Sequence, residues 1–221
     1  MENLNSTWTP STDALFEVLL SEKTMSVEFR LELNDIAEEM LEKIEKKGNF
    51  VLHNLDINNC SEDELEPMIT TVPGILLKKR YDRLPIHSTL CDNCQFSIPF
   101  IPFLAEQGEN FNVGGEGNRG GMLLEDPNSN KNILETLAGL KKTSNDVYYD
   151  SLCLDTMMRL KEANLLIKED VKVHDLLYCE CFPECKSRFD YLLGLDPGAL
   201  KIHSGANIPR LIHSVITETE K

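Results

Sequence analysis

Three histidines stand where chemistry could begin. His87 precedes Cys91 by one helical turn, His174 precedes Cys179, and His213 abuts Ser214. An imidazole within reach of a thiol or hydroxyl is the base–nucleophile pairing of covalent catalysis, but it also needs an orienting group and a shaped cleft. Cys91-x-x-Cys94 has the spacing of a zinc knuckle, and Cys179, Cys181 and Cys185 supply three more thiols. A structural zinc centre calls for two paired knuckles at regular separation, and this chain has one pair and an uneven triplet. His87 and Cys91 share a helix face by i, i+4 spacing alone, which arises cheaply. The expected roles are helix-start histidines bonded to backbone and thiols packed as small hydrophobes. No catalytic residue, metal ligand or cofactor is assigned.

Two further stretches invite chemistry. Residues 107–130 have a Gly-rich centre, Gly114-Gly115-Glu116-Gly117 and Arg119-Gly120-Gly121, between short apolar flanks. A phosphate cradle would be followed by Lys-Ser/Thr and preceded by a buried strand, and neither is present, so a hairpin-like surface excursion is expected. Glu38 and Glu42 lie on one helix face, as in carboxylate metal sites. No Glu-x-x-His motif accompanies them, and they read as the solvated side of an amphipathic helix.

The elements behind these residues are helical. The 221 residues are 41% hydrophobic with a formal net charge of −15, ordinary for a folded chain and unfavourable for phosphate backbones. The acid is concentrated early: residues 1–70 carry 16 acidic and 5 basic side chains. Lys78-Lys79-Arg80, the densest basic run, reads as a solvated loop. Seven cysteines without a secretory leader imply reduced thiols, and no apolar window is long enough to span a bilayer. Cytoplasmic or nuclear residence is expected, with no membrane or nucleic-acid partner. Helical periodicity predicts helices from Thr12, over Val27–Lys47 with Gly48 as the stop, after a capping box at Ser61–Glu64, from Pro85, and after Pro102. Further helices are expected over Asn132–Leu140, Ser151–Leu166, Val173–Glu180, Ser187–Leu195 and Pro209–Thr217.

One phrase occurs twice. Pro73-Gly74-Ile75-Leu76 leads to Ile86-His87-Ser88, and Pro197-Gly198-Ala199-Leu200 leads to Ile212-His213-Ser214. Superposing helix starts adds two eroded copies, ending at Glu135 and His174. A helix pair and a turn, repeated, describe a solenoid.

Leu84-Pro85-Ile86-His87 resembles the ankyrin-repeat helix start Thr-Pro-Leu-His. Leu211-Ile212-His213 is similar with its proline displaced, and Val171-Lys172-Val173-His174 follows more distantly. Taken with Ile101–Leu104, the Gly-rich run and Val173–Cys179, the chain resembles the divergent ankyrin-like proteins that form large families in diatoms. The resemblance implies that Pro85 opens a helix, that Ile86 and Ile212 enter the core, and that His87, His174 and His213 link neighbouring repeats by hydrogen bonds.

The expected fold is all-α: an α-solenoid of degenerate ankyrin-like helix pairs with long inserted loops. An acidic helical segment, 1–61, precedes a repeat domain, 62–221, with helix starts near 85, 133, 172 and 210. The expected function is a non-catalytic protein-interaction scaffold for a basic protein partner. The alternatives are a cysteine- or zinc-dependent hydrolase and, from a faint F-box-like opening at Asp13–Leu20, a ubiquitin-ligase adaptor.

Overall fold

The computed structural model describes residues 27–90, 95–140, 147–177 and 185–201. Eight α-helices and no strand occur among these residues, so the chain is all-α there. They are α1 (Val27–Leu52), α2 (Glu62–Thr71), α3 (Pro85–Ser88), α4 (Ile101–Asn110), α5 (Ile133–Gly139), α6 (Val147–Glu162), α7 (Lys168–Val173) and α8 (Lys186–Leu195). Short 3-10 turns cover Pro73–Leu77, Ile98–Phe100 and Pro197–Lys201. No helix among the described residues is long and apolar enough to cross a membrane.

The chain divides into two compact units, Met1–Lys43 and Ile44–Lys221. Leu52 and Leu55, after α1's exposed stretch, belong to the core of the second unit. Within the first unit, the described side chains of α1 meet solvent broadly. Asp35, Glu38, Glu39 and Glu42 are exposed beside Ile36, Met40 and Leu41, and Lys43 pairs with Glu39 one turn earlier at 2.6 Å.

In the second unit α1 does not stop at Gly48 but continues to Leu52. That glycine answers to packing: a Cβ there would lie 3.0 Å from both Ile75 Cδ1 and Met68 Sδ. α2 begins where its capping residues predict, with the Ser61 N–H donating to Glu64 Oε2 at 2.9 Å. Its apolar side, Leu65 and Ile69, is buried.

The Pro-Gly-x-Leu phrase has the same local structure both times. A ten-residue helix, Glu62–Thr71 or Lys186–Leu195, is followed by one linking residue and a five-residue 3-10 turn. The linking residues have φ/ψ of −133/73 at Val72 and −137/85 at Asp196. Ile75 and Ala199, the third residues of the two turns, are buried.

From α3 to α8 the helices pack in three pairs. α4 packs on α3, α6 on α5 and α8 on α7, while α6 also packs on both α4 and α8. A tight left-handed turn precedes each shorter helix. Tyr81 and Asp82 make the first (φ 52° and 63°), Asn130 the second (φ 52°) and Asn164 the third (φ 59°). The starts are chemically distinct. Pro85 opens α3. Asn132 Oδ1 accepts the Glu135 N–H at 2.9 Å at the start of α5. Asp170 Oδ2 accepts the Ile167 N–H at 2.8 Å at α7.

Two further expectations are corrected. The helix start expected near 172 lies at Lys168, because Asp170 caps the chain there; His174 therefore sits at the helix's C-terminal boundary rather than in its first turn. The Gly-rich stretch is not a hairpin-like surface excursion. It is a series of turns that bury Val113 and Met122 and press backbone against α4. Gly120, at φ 66°, is so close to α4 that a Cβ would come within 2.0 Å of the Ala105 carbonyl oxygen. A Cβ on Gly108 would come within 2.3 Å of the Gly120 carbonyl oxygen. Only glycine fits either place.

Candidate interaction site

Pro85 fixes the first turn of a four-residue helix that could not form alone. It thereby buries Ile86 and carries His87 inward, leaving the imidazole 5% exposed. His87 Nε2 lies 2.9 Å from the Leu124 carbonyl oxygen. A carbonyl can only accept, so Nε2 carries the proton. Burial pushes the imidazole below its ordinary range, outweighing the support of the Leu124 carbonyl and the Asp126 charge. The ring is neutral at pH 7, and Nδ1 presents a bare lone pair with no hydrogen-bond partner among the described residues.

His87 lines a cavity of about 200 Å³ with Arg83, Asp126, Ser129 and Thr136 over the apolar side chain of Ile133. Two tight turns meet at its edge. Arg80 and Arg83 exchange backbone hydrogen bonds at 2.9 and 3.1 Å, and the Asp126 N–H donates to the Lys131 carbonyl at 2.9 Å. Arg83 grips Asp126 through Nε at 3.2 Å and Nη2 at 3.1 Å. Burial alone would raise the Asp126 carboxyl; the Asn128 N–H and the Arg83 guanidinium more than offset it and hold the group below the usual carboxylate range.

The same device recurs further along. Arg119, from the Gly-rich stretch, donates to the Leu165 carbonyl at 3.0 Å and to Asp170 beside it. Arg188 on α8 is 1% exposed. Its Nε donates to Asp150 of α6 at 2.6 Å, its Nη2 to the Leu140 carbonyl at 3.0 Å, and its Nη1 to the carbonyls of Leu137 and Ala138. One guanidinium thus satisfies the carbonyls that end α5 while pairing with α6. Burial would raise Asp150 as well, but Arg188 and Ser187 hold it below its ordinary value.

Of the residues expected to carry the site, His87 and His174 are placed apart, each on its own bond. His174 Nδ1 lies 3.0 Å from Asn132 Nδ2 and 3.8 Å from Glu135 Oε1. Ile212 and His213, with the helix start expected near 210, lie outside the described residues. So do Asp13–Leu20, Cys91, Cys94, Cys179 and Cys181. Cys60, Cys153 and Cys185 are in no disulfide, and no metal-binding cluster of three or more His, Cys, Asp or Glu side chains occurs among the described residues. The buried arginines and their carboxylates carry no local signal in the sequence, because their partners lie far along the chain. No family model, no curated protein and no solved structure matches this chain.

Proposed function

We propose that the chain is a non-catalytic interaction scaffold, an ankyrin-like stack of helix pairs that presents surfaces to protein partners. The observation that carries this reading is the order of packing, with α4, α6 and α8 in a row and each backed by its own short helix. Such an order builds a continuous core from pieces that could not fold alone. The links made by Arg83 and Arg188 support it, since each joins segments of successive helix pairs. His87 to Leu124 and His174 to Asn132 act in this reading as fasteners between pairs.

In the same reading the acidic stretch of α1 is the contact for a basic protein. Glu38, Glu39 and Glu42 are exposed alongside Ile36 and Met40, a combination that offers charge for steering and apolar area for affinity. The test is cross-linking capture from cell extract with the wild-type chain and with the triple substitution Glu38→Lys, Glu39→Lys, Glu42→Lys. A basic protein recovered by the first and lost by the second is expected. Stoichiometric zinc in the purified chain, or a single hyper-reactive thiol, would instead favour a hydrolase.

A further inference from the structure

A second surface, on the Ile44–Lys221 unit, has the opposite character. The Lys78-Lys79-Arg80 run, expected to be a plain solvated loop, is built into a platform. The Arg80 guanidinium carbon stands 5.7 Å from the Phe50 ring centre and 5.4 Å from that of Tyr81. Both rings are open to solvent, Phe50 at 63% and Tyr81 at 82% exposure, and Leu77, which ends the 3-10 turn just before the basic run, is 55% exposed. The platform is fixed from below. Lys78 pairs with Glu45 at 2.6 Å, and His53 holds the Lys78 carbonyl at 2.9 Å and the Ser88 hydroxyl at 2.6 Å.

Packing does not explain the tip of this turn. Tyr81 and Asp82 both adopt left-handed backbone, the type I′ pattern that Asn and Gly favour and that a bulky aromatic resists. An exposed tyrosine held in a strained conformation, with an arginine over its ring, points to a surface shaped for contact. Neither Lys79 nor Arg80 has a carboxylate partner among the described residues. Arg80's planar fork is already oriented by the two rings, which lowers the cost of bidentate capture of a carboxylate.

We propose that Phe50, Leu77, Lys79, Arg80 and Tyr81 form a docking surface for a short acidic peptide segment of a partner, in which carboxylates alternate with apolar side chains. Charge decides the choice of occupant. Lys78 and Arg83 are already neutralised by Glu45 and Asp126, so Lys79 and Arg80 against the exposed Asp82 leave a small local positive excess on a chain of net charge −15. That excess suits one or two carboxylates, whereas a nucleic acid needs a long run of phosphate contacts against a repelling field. This surface is independent of the acidic face of α1, so its failure would leave that reading standing.

The experiment is a fluorescence-anisotropy titration of the full chain with a labelled synthetic peptide alternating glutamate and leucine. Companion probes replace glutamate by glutamine or use a single-stranded oligonucleotide. Saturable binding is expected for the glutamate peptide, weakened at least about tenfold by Arg80→Ala, an effect of the size that loss of a charged hydrogen bond produces. Tyr81→Ala and Lys79→Ala should weaken it less, and Lys172→Ala on α7 should leave it unchanged. Circular dichroism of each variant should match the wild type. Equal binding of the glutamine peptide, tighter binding of the oligonucleotide, or wild-type affinity in the Arg80→Ala chain would overturn the proposal. So would a self-association in sedimentation that Arg80→Ala abolishes, because the occupant would then be a second copy of the chain.

Discussion

Arg188 and Arg80 have the same side chain under opposite conditions, and the contrast separates what holds this protein together from what it offers to others. Arg188 is withdrawn from water and its donors are spent on Asp150 and on the carbonyls of Leu137, Ala138 and Leu140. Arg80 is held in place by two aromatic rings and keeps its hydrogen-bonding edge for something outside the chain. A buried guanidinium is tolerated only with full satisfaction, so its loss is felt by the fold. A surface guanidinium over aromatics adds at most about 1 kcal/mol of cation–π energy, so its loss is felt mainly by a partner.

The sharpest way to break that contrast is Arg188→Ala. It strands Asp150 and the carbonyl end of α5 in the core, and urea denaturation should register a loss of about 3–5 kcal/mol. Arg188→Lys should recover only part of this, because an ammonium cannot span the same four acceptors. Gly120→Ala comes next. Its Cβ would meet the Ala105 oxygen at 2.0 Å in a left-handed backbone, so a loss of about 2 kcal/mol or more in the same assay is expected.

Acid should take the interior apart in two stages. His53 and His87 are pushed below the ordinary imidazole range, chiefly by burial and against the pull of their carbonyl partners. Below a pH of about 6.5 the unfolded chain therefore binds more protons at these positions than the folded one, and stability declines as pH falls. Asp126 and Asp150 are held low by Arg83 and Arg188 in spite of burial. Their contribution is intact above the ordinary carboxylate value of about 3.9 and is lost as pH falls below it. Urea midpoints measured across this range check both stages, and His87→Gln should flatten the first.

The smallest effect lies at the exposed turn and has the opposite sign. Tyr81→Gly relieves a left-handed aromatic residue and should raise stability by about 1 kcal/mol in thermal melts, while weakening the acidic peptide. Arg80→Ala should change stability by less than about 1 kcal/mol.

Much of the local structure was legible because it is written in neighbouring residues. Ser61 with Glu64, Pro85 in a first turn, and Pro99 with Pro102 at the entry to α4 all act within a few positions, as do the two Pro-Gly-x-Leu turns. What escaped depends on segments distant in sequence. Gly48 looks like a stop until Ile75 and Met68 arrive against it. The Gly108–Gly120 contact turns an apparent surface excursion into part of the core, for a reason carried by no pattern within the stretch. Arg188 was illegible as a buried group because its justification is the open end of another helix.

The most direct test of the proposed stack is native-state hydrogen exchange on Arg188→Lys beside the wild type. A chain in which each helix pair leans chiefly on its neighbours should lose amide protection in α5, α6 and α8 while α3 and α4 stay near wild-type protection. An equal loss of protection in all of these helices would contradict the account, for it would mean that one cooperative core, not a series of coupled pairs, holds the chain.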